Sequence, residues 1–367
     1  MIESTIKSGR SLILSGCGGI GKSEFAREEA MRLAGVLKLR YVDASSWRSE
    51  DFFKGKPGER AKRGEAIFFV PEIFRLKEAF SIINLLFGEG ALFIATSSEG
   101  LRRDDAEYTL ISGRFASFEM GSLDYRDWAE RHPDRPYSDF LLNDYPGEMS
   151  EQAILGIISR GLKGGKRIPS QSQKILSFMK LLLEHPGEPC SWRCLSEQSG
   201  LSVHTVSDYL GKLISMGLLR VVRRVNLDKG NEAGASMLLY PTYNSFYCLA
   251  PLDLKEEGSL RAAYMGKLLE KLFSNSYQVC SGFLYSRNKG VKDRYKECGL
   301  LLSKGDERIH MLVDLAYDEG KAAALLSLRD GCPKYYVVLS EQERQTLNNG
   351  IRLIGIDRLI KGDLGEL

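Results

Sequence analysis

Gly16-Cys17-Gly18-Gly19-Ile20-Gly21-Lys22-Ser23 follows the apolar run Ser11-Leu12-Ile13-Leu14 and precedes Glu24 to Leu33, where Ala, Phe and Leu recur at helical spacing. The eight residues fit G-x-x-x-x-G-K-[ST] between a strand and a helix, the context a phosphate-binding loop needs. Glycines let successive backbone N–H groups turn inward around phosphate oxygens, and the amino end of a helix adds partial positive charge. On this reading Gly16 to Ser23, with Glu24 behind them, cradle a nucleotide. Lys22 reaches the β and γ phosphates and Ser23 ligates Mg²⁺. An accidental glycine-rich turn would leave the flanking strand and helix patterns unexplained.

Working outward, short apolar runs alternate with helical patterns, as in a parallel sheet with helices on both faces. The expected strands are Leu12 to Ser15, Leu39 to Asp43, Ala66 to Val70, Leu92 to Thr96 and Phe115 to Met120, with a helix from Phe74 to Phe87 and another opening at Ser122-Leu123-Asp124-Tyr125. The fold class is therefore α/β, a P-loop NTPase parallel sheet in which partners for the phosphate sit at the ends of neighbouring strands.

The rest of the composition narrows the setting. A chain of 367 residues, 43% hydrophobic and 27% charged, has room for two or three globular domains. Its seven cysteines are scattered without paired metal-ligand spacings, which reads as reduced, cytosolic thiols; Cys190 and Cys194 could share a helix face, but no second pair lies near them to make a zinc site. Met1-Ile2-Glu3-Ser4 does not open a basic-then-apolar leader, and no apolar run reaches membrane-spanning length, so a cytoplasmic protein is expected. Net charge is +3 overall, yet residues 151–250 alone carry +5. A polyanionic partner is thus expected of that segment rather than of its flanks.

A second constellation is Ile67-Phe68-Phe69-Val70-Pro71-Glu72. A P-loop ATPase commonly ends such a strand with an Asp that helps hold Mg²⁺ and a Glu that orients the attacking water. Here Glu72 is present and Pro71 stands at the Asp position, so hydrolysis should be slow unless another carboxylate substitutes, Asp43 being the nearest candidate. Glu72 also reads as a helix-start carboxylate favoured by the dipole. Thr96, in the strand end Ala95-Thr96-Ser97-Ser98, either senses the γ phosphate or caps the strand. Arg114 either stabilises charge in phosphoryl transfer, in cis or from a neighbouring subunit, or makes a surface ion pair.

In this order the motifs, with Ser112-Gly113-Arg114 and Met120-Gly121-Ser122-Leu123-Asp124-Tyr125, resemble those of bacterial and archaeal AAA-type ATPases that join the ATPase to a winged helix and a C-terminal domain resembling restriction endonucleases. The resemblance implies ATP or ADP and Mg²⁺ as ligands, and domains at 1–147, 148–250 and 251–367. Two departures stand out, Pro71 for the family's Asp and Ser97 for a usual Gly.

The middle segment supports its part independently. Gln171 to Glu184 is a buried helix, Ser191 to Ser199 a short one, Gly200-Leu201-Ser202 a turn and Val203 to Met216 a longer helix, followed by a strand over Leu218 to Val225 and a polar loop from Asn226 to Ser236. That order makes a winged helix-turn-helix. Ser202 caps the recognition helix, His204, Thr205, Ser207, Asp208 and Lys212 face outward, and Arg220, Arg223, Arg224 and Lys229 lie on the wing. These groups would contact double-stranded DNA through phosphates, although winged helices also dock proteins.

The last segment orders a helix with Glu270, strands at Tyr295 to Leu302 and Ile309 to Leu315, a helix from Lys321 to Leu328 and a strand at Tyr335 to Leu339. By resemblance, Glu270 matches a nuclease's helical acid and Glu297 a Glu beside its metal-binding Asp, while Gly299, Leu312 and Asp314 replace the key Asp, Glu and Lys. A nuclease-like fold without nuclease activity is expected; with the register moved by two, Asp314 becomes a ligand but has no nearby Lys. The functional expectation is an ATP-binding protein, a weak hydrolase, coupling nucleotide state to DNA binding. The alternative is a protein-interaction module that binds ATP without turnover.

Overall fold

Leu12, Ile13 and Leu14 are buried on both sides of their strand, which is why the run is continuously apolar rather than alternating. The computed structural model describes residues 2–16, 21–54, 62–98, 112–121, 125–142, 149–162, 168–227, 231–275, 277–285, 295–339 and 345–362. The chain divides into two compact units, Met1–Gly121 with Ser215–Gly217, and Ser122–Ile214 with Leu218–Leu367.

The first unit runs α1 (Ile2–Lys7), β1 (Ser11–Ser15), α2 (Lys22–Leu37), β2 (Arg40–Asp43), α3 (Ser49–Phe53), β3 (Ala66–Val70), α4 (Ala79–Gly88), β4 (Leu92–Ser97) and β5 (Phe115–Glu119). Its five strands form one sheet in the order β2-β3-β4-β1-β5, every pairing parallel. Side chains alternate between two cores, as the pleat requires. Ile13, Phe68, Val70, Phe93 and Ala95 pack with Ile82, Ile83 and Leu86 of α4. Leu12, Leu14, Ile67, Phe69 and Ile94 pack with Ala26, Ala30 and Leu33 of α2. The five expected strands are found within a residue of their bounds. The expected helix over Phe74 to Phe87 is broken: a 3₁₀ turn at Ile73–Arg75 precedes α4, and Glu78 takes a left-handed φ of 61° between them.

The second unit contains α5 (Tyr125–Arg131), α6 (Tyr137–Leu142), α7 (Glu151–Gly161), α8 (Ile168–Glu184), β6 (Cys190–Ser191), α9 (Trp192–Ser199), α10 (Val203–Ser215), β7 (Leu219–Asn226) and β8 (Asn231–Pro241), then α11 (Glu257–Ser274), β9 (Gln278–Tyr285), β10 (Tyr295–Lys304), β11 (Glu307–Asp314), α12 (Glu319–Leu326), β12 (Lys334–Val338), β13 (Gln345–Thr346), β14 (Arg352–Gly355) and α13 (Ile356–Lys361). Cys190 lies in β6 and Cys194 in α9, so the two do not share a helix face. Much of the polar loop expected over Asn226 to Ser236 is instead strand, since β8 starts at Asn231.

A nine-stranded sheet, β13-β14-β12-β11-β10-β9-β7-β8-β6, holds this unit together. The hairpin β7–β8 joins it through parallel pairing of β7 with β9, Arg223 opposite Cys280 and Asn226 opposite Phe283. The sheet therefore continues across position 250, where the sequence suggested a domain boundary. Helix α11 packs Leu268, Leu269 and Leu272 against Leu300, Met311, Val313, Tyr335 and Val337. Helix α12 packs Ala322 and Leu325 against Leu312, Tyr336 and Val338. Strand β10 bulges between Glu297 and Gly299, where Gly299 has a φ of 82°.

Candidate functional site

The strand order decides which side chains meet. Strand β4 lies between β1, which leads into the glycine-rich loop, and β3, which leads into Glu72. The carboxyl end of β4 therefore stands between the two motifs, and its hydroxyls bridge them. Cys17, Gly18, Gly19 and Ile20 lie outside the described residues. Gly16 donates its N–H to Ser97 O at 3.2 Å, which ties the start of the loop to β4. Gly21 precedes α2 with a φ of 80°, a left-handed turn that glycine adopts without strain, and it offers no side chain to cap the helix.

Lys22 is buried, and its Nζ donates to Ser98 Oγ at 3.2 Å. Ser23 Oγ and Thr96 Oγ1 lie 3.3 Å apart, and Thr96 Oγ1 accepts from the Glu72 N–H at 3.0 Å. Ser98 then holds Glu72: its hydroxyl donates to Oε1 at 2.6 Å and its N–H to Oε2 at 2.8 Å. Arg75 adds a longer ion pair to Oε2 at 3.6 Å. Glu72 itself sits in the left-handed region, at a φ of 49°. For a non-glycine residue this conformation costs of order 1–3 kcal/mol and concentrates at functional sites. Lys22, Ser23, Glu72 and Thr96 are thus brought together as the sequence suggested, with Ser98 as an unforeseen fifth member. Glu24 is exposed in the first turn of α2.

Two expectations fail here. Arg114 stands before β5, and β5 runs parallel to β1 with Phe115 opposite Ser11. It is therefore at the amino ends of the strands, roughly 15 Å along the sheet from the carboxyl edge, and its guanidinium lies over the Phe87 ring at 5.3 Å. A role in cis at this site is ruled out by that position. Asp43, at the end of edge strand β2, is already engaged: it accepts from Ser45 and pairs with Arg27 at 3.3 Å. Burial works against its charge, but the Ser45 donors and Arg27 outweigh this and hold its carboxyl below the usual range.

In the second unit Ser202 caps α10 as expected, accepting from the Thr205 N–H at 3.1 Å. His204, Ser207 and Asp208 are exposed, Thr205 is half-buried, and Lys212 pairs with Asp208 at 2.6 Å. The arginines separate by strand parity. Arg223 is exposed, whereas Arg224 is buried, pairs with Glu297 and lies over the Phe283 ring at 4.9 Å. Arg220, of the same parity as Arg224, lies over Phe273 at 5.4 Å. Neighbouring strand residues point to opposite faces, so Arg223 and Arg224 cannot both present to one partner. Lys229 lies outside the described residues.

Glu297, Gly299, Asp314 and Lys321 line a cleft of about 880 Å³ within this unit, with Ser281, Arg261 and Glu256 also on its wall. The expectation that no lysine lies near Asp314 is overturned, because Lys321 of α12 pairs with it. Burial pushes the Asp314 carboxyl up, but Lys321, the Leu315 N–H at 2.9 Å and the Tyr336 hydroxyl at 3.2 Å hold it below the usual range. Glu297 goes the other way, raised by burial more than Arg224 lowers it. Glu270 is buried on α11, 3.6 Å from Lys267, whose Nζ lies over Phe140 at 4.1 Å.

No protein-family model and no curated protein matches the chain. Among solved structures, the Orc1 protein of Aeropyrum pernix in complex with DNA is similar at a TM-score of 0.30 and 14% identity, covering 68% of this chain and 90% of that one. Protein VC1899 from Vibrio cholerae is similar at a TM-score of 0.19 and 10% identity, covering 95% of each chain. At such scores the α/β assignment stands on the five-stranded parallel sheet itself. Among the described residues, no helix is long and apolar enough to cross a membrane.

Proposed function

We propose that the chain is an ATP-binding P-loop protein with slow turnover that couples nucleotide state to double-stranded DNA. The observation that carries this reading is the bridge at the carboxyl edge of the sheet, where buried Lys22 meets Ser98 and Ser98 meets Glu72. The residues fit the ligand: a buried cation and an uncapped helix end suit phosphate, and the Ser23 and Thr96 hydroxyls suit a hard cation that keeps most of its waters. Bound Mg²⁺ would neutralise phosphate charge. Lys22 binds the outer phosphates, Ser23 orients the metal side, and Glu72, once free of Ser98, orients water. Pro71 offers no carboxylate to help, which supports slow turnover. Arg114 remains a candidate only from a neighbouring subunit.

For DNA, helices α9 and α10 and the hairpin β7–β8 are read as a winged helix-turn-helix within 148–250, with Ser202, His204, Thr205, Ser207, Lys212 and Arg223 as its contacts. The segment from 251 is read as a restriction-endonuclease-like domain without nuclease activity, since Gly299 and Leu312 supply no carboxylate. The second reading, a nucleotide-dependent protein-docking module, is favoured by the inward turn of Arg220 and Arg224, which removes two cations from the wing.

ATP binding and phosphate release of the unaltered chain, Lys22→Ala and Glu72→Gln, with and without duplex DNA at two salt concentrations, separate the readings. Lys22-dependent turnover that changes with DNA supports coupling. ATP binding without Lys22-dependent turnover and without any DNA effect overturns it in favour of docking.

A further inference from the structure

Three metal-ligating side chains converge away from both sites described above. His310 lies on β11, and Asp330 and Cys332 lie on the turn between α12 and β12. Among the described residues they are the one group of three His, Cys, Asp or Glu side chains whose donor atoms all fall within 4.8 Å of one another.

The turn is built to present them. Asp330 Oδ1 accepts from the Cys332 N–H at 3.2 Å, folding the two side chains toward each other, and Lys334 Nζ lies 3.4 Å from the same oxygen and 3.1 Å from Cys332 O. Oδ2 is left to His310 Nε2. The Pro333 carbonyl accepts from the His310 N–H at 2.9 Å, which fixes the turn against β11. His310 is only 2% exposed, and its Nδ1 is buried without a hydrogen-bond partner. The ring meets the Asp330 carboxylate through its other nitrogen, Nε2, and its burial fixes the direction of that nitrogen. A His–Asp pair alone would not need the Cys332 thiol at the same point.

The geometry points to a zinc-binding site formed by His310 Nε2, Asp330 Oδ2 and Cys332 Sγ, with a fourth coordination position open. One nitrogen, one oxygen and one sulfur form a mixed, borderline-soft donor set that suits zinc and not magnesium or calcium. A thiolate and a carboxylate neutralise the dication, and the Lys334 ammonium holds the outer carboxylate oxygen, leaving Oδ2 as the one turned to His310. The site is independent of nucleotide and stands whether or not ATP is hydrolysed.

The test is Co²⁺ titration of the full chain after treatment with chelator, followed by Zn²⁺ displacement, for the unaltered protein, Cys332→Ser and Asp330→Asn. Both substitutions are at the surface turn, so the fold should survive them, and circular dichroism checks this. One Co²⁺ per chain, with a thiolate charge-transfer band that Zn²⁺ abolishes, is expected. The band should vanish in Cys332→Ser, and affinity should fall more than about tenfold in Asp330→Asn. Absence of the band in the unaltered chain, or its survival in Cys332→Ser, overturns the assignment; survival with loss in Cys190→Ser would place the thiolate elsewhere.

Discussion

Ser98 occupies both carboxylate oxygens of Glu72, its hydroxyl on Oε1 at 2.6 Å and its N–H on Oε2 at 2.8 Å, while the same hydroxyl accepts from Lys22. A carboxylate engaged in this way is not free to orient water, so nucleotide that draws Lys22 away also loosens Glu72. Removing the hydroxyl leaves the backbone bond and deletes one charge-assisted bond of about 1.5 kcal/mol, close to a factor of ten in the free population of Glu72. Ser98→Ala is therefore expected to raise basal phosphate release by up to about tenfold while ATP affinity changes little. Equal or lower release at unchanged affinity would show that Ser98 positions Glu72 rather than restraining it.

The two adjacent arginines of β7 should behave in opposite ways. Arg223→Ala leaves stability near that of the parent and flattens the salt dependence of DNA binding by about 0.9 per lost phosphate contact. Arg224→Ala removes a buried guanidinium packed over the Phe283 ring, together with its pair to Glu297, and lowers the denaturation midpoint instead. Paired chemical denaturation and salt-titrated DNA binding distinguish them, and a matched salt effect for both variants would contradict the assignment of Arg224 to the interior.

Restoring an acid at Gly299 should cost stability and yield no metal site. A Cβ there would stand 2.3 Å from Met311 O and 2.8 Å from Leu312 Cα, at a φ of 82°. Both neighbours are backbone of β11 and cannot turn aside. Gly299→Asp is expected to destabilise by more than about 2 kcal/mol in urea unfolding. An unchanged midpoint would mean that the bulge relaxes freely.

The Asp314–Lys321 pair predicts an acid-side dependence. The folded-state pKa of Asp314 is lowered, so its contribution is present above the unfolded value and is lost as pH falls through the folded one. Lys321→Ala should lower Tm at pH 7, with the difference shrinking as the pH drops below about 4. A difference that persists unchanged in acid would assign the loss to packing rather than to the pair.

The parallel strands of the first unit were legible because strands covered on both faces write continuous apolar runs, as in Ala66 to Val70. Ser98 was not, because its role depends on β4 lying between β1 and β3, and no local pattern encodes that order. Lys321 was missed for a related reason: the lysine beside Asp314 comes from the following helix and not from the strand. Strand β9 was overlooked because Cys280, Ser281 and Gly282 interrupt its pattern. Arg224 could have been found, since strict alternation along β7 already sets it with Val222 and Asn226, away from Arg223. For Arg114, the motif indicated its chemistry, but only the register of β5 against β1 shows which edge it occupies.

The parallel pairing of β7 with β9 also has a price for dissection. Ending the chain near Leu252 would strip β7 of its neighbour and bare a run of N–H and C=O groups from Arg223 to Asn226. An open strand edge of that kind is a template for joining other chains. The shortened protein should self-associate, so a loss of DNA binding on truncation would report aggregation and not the removal of a contact.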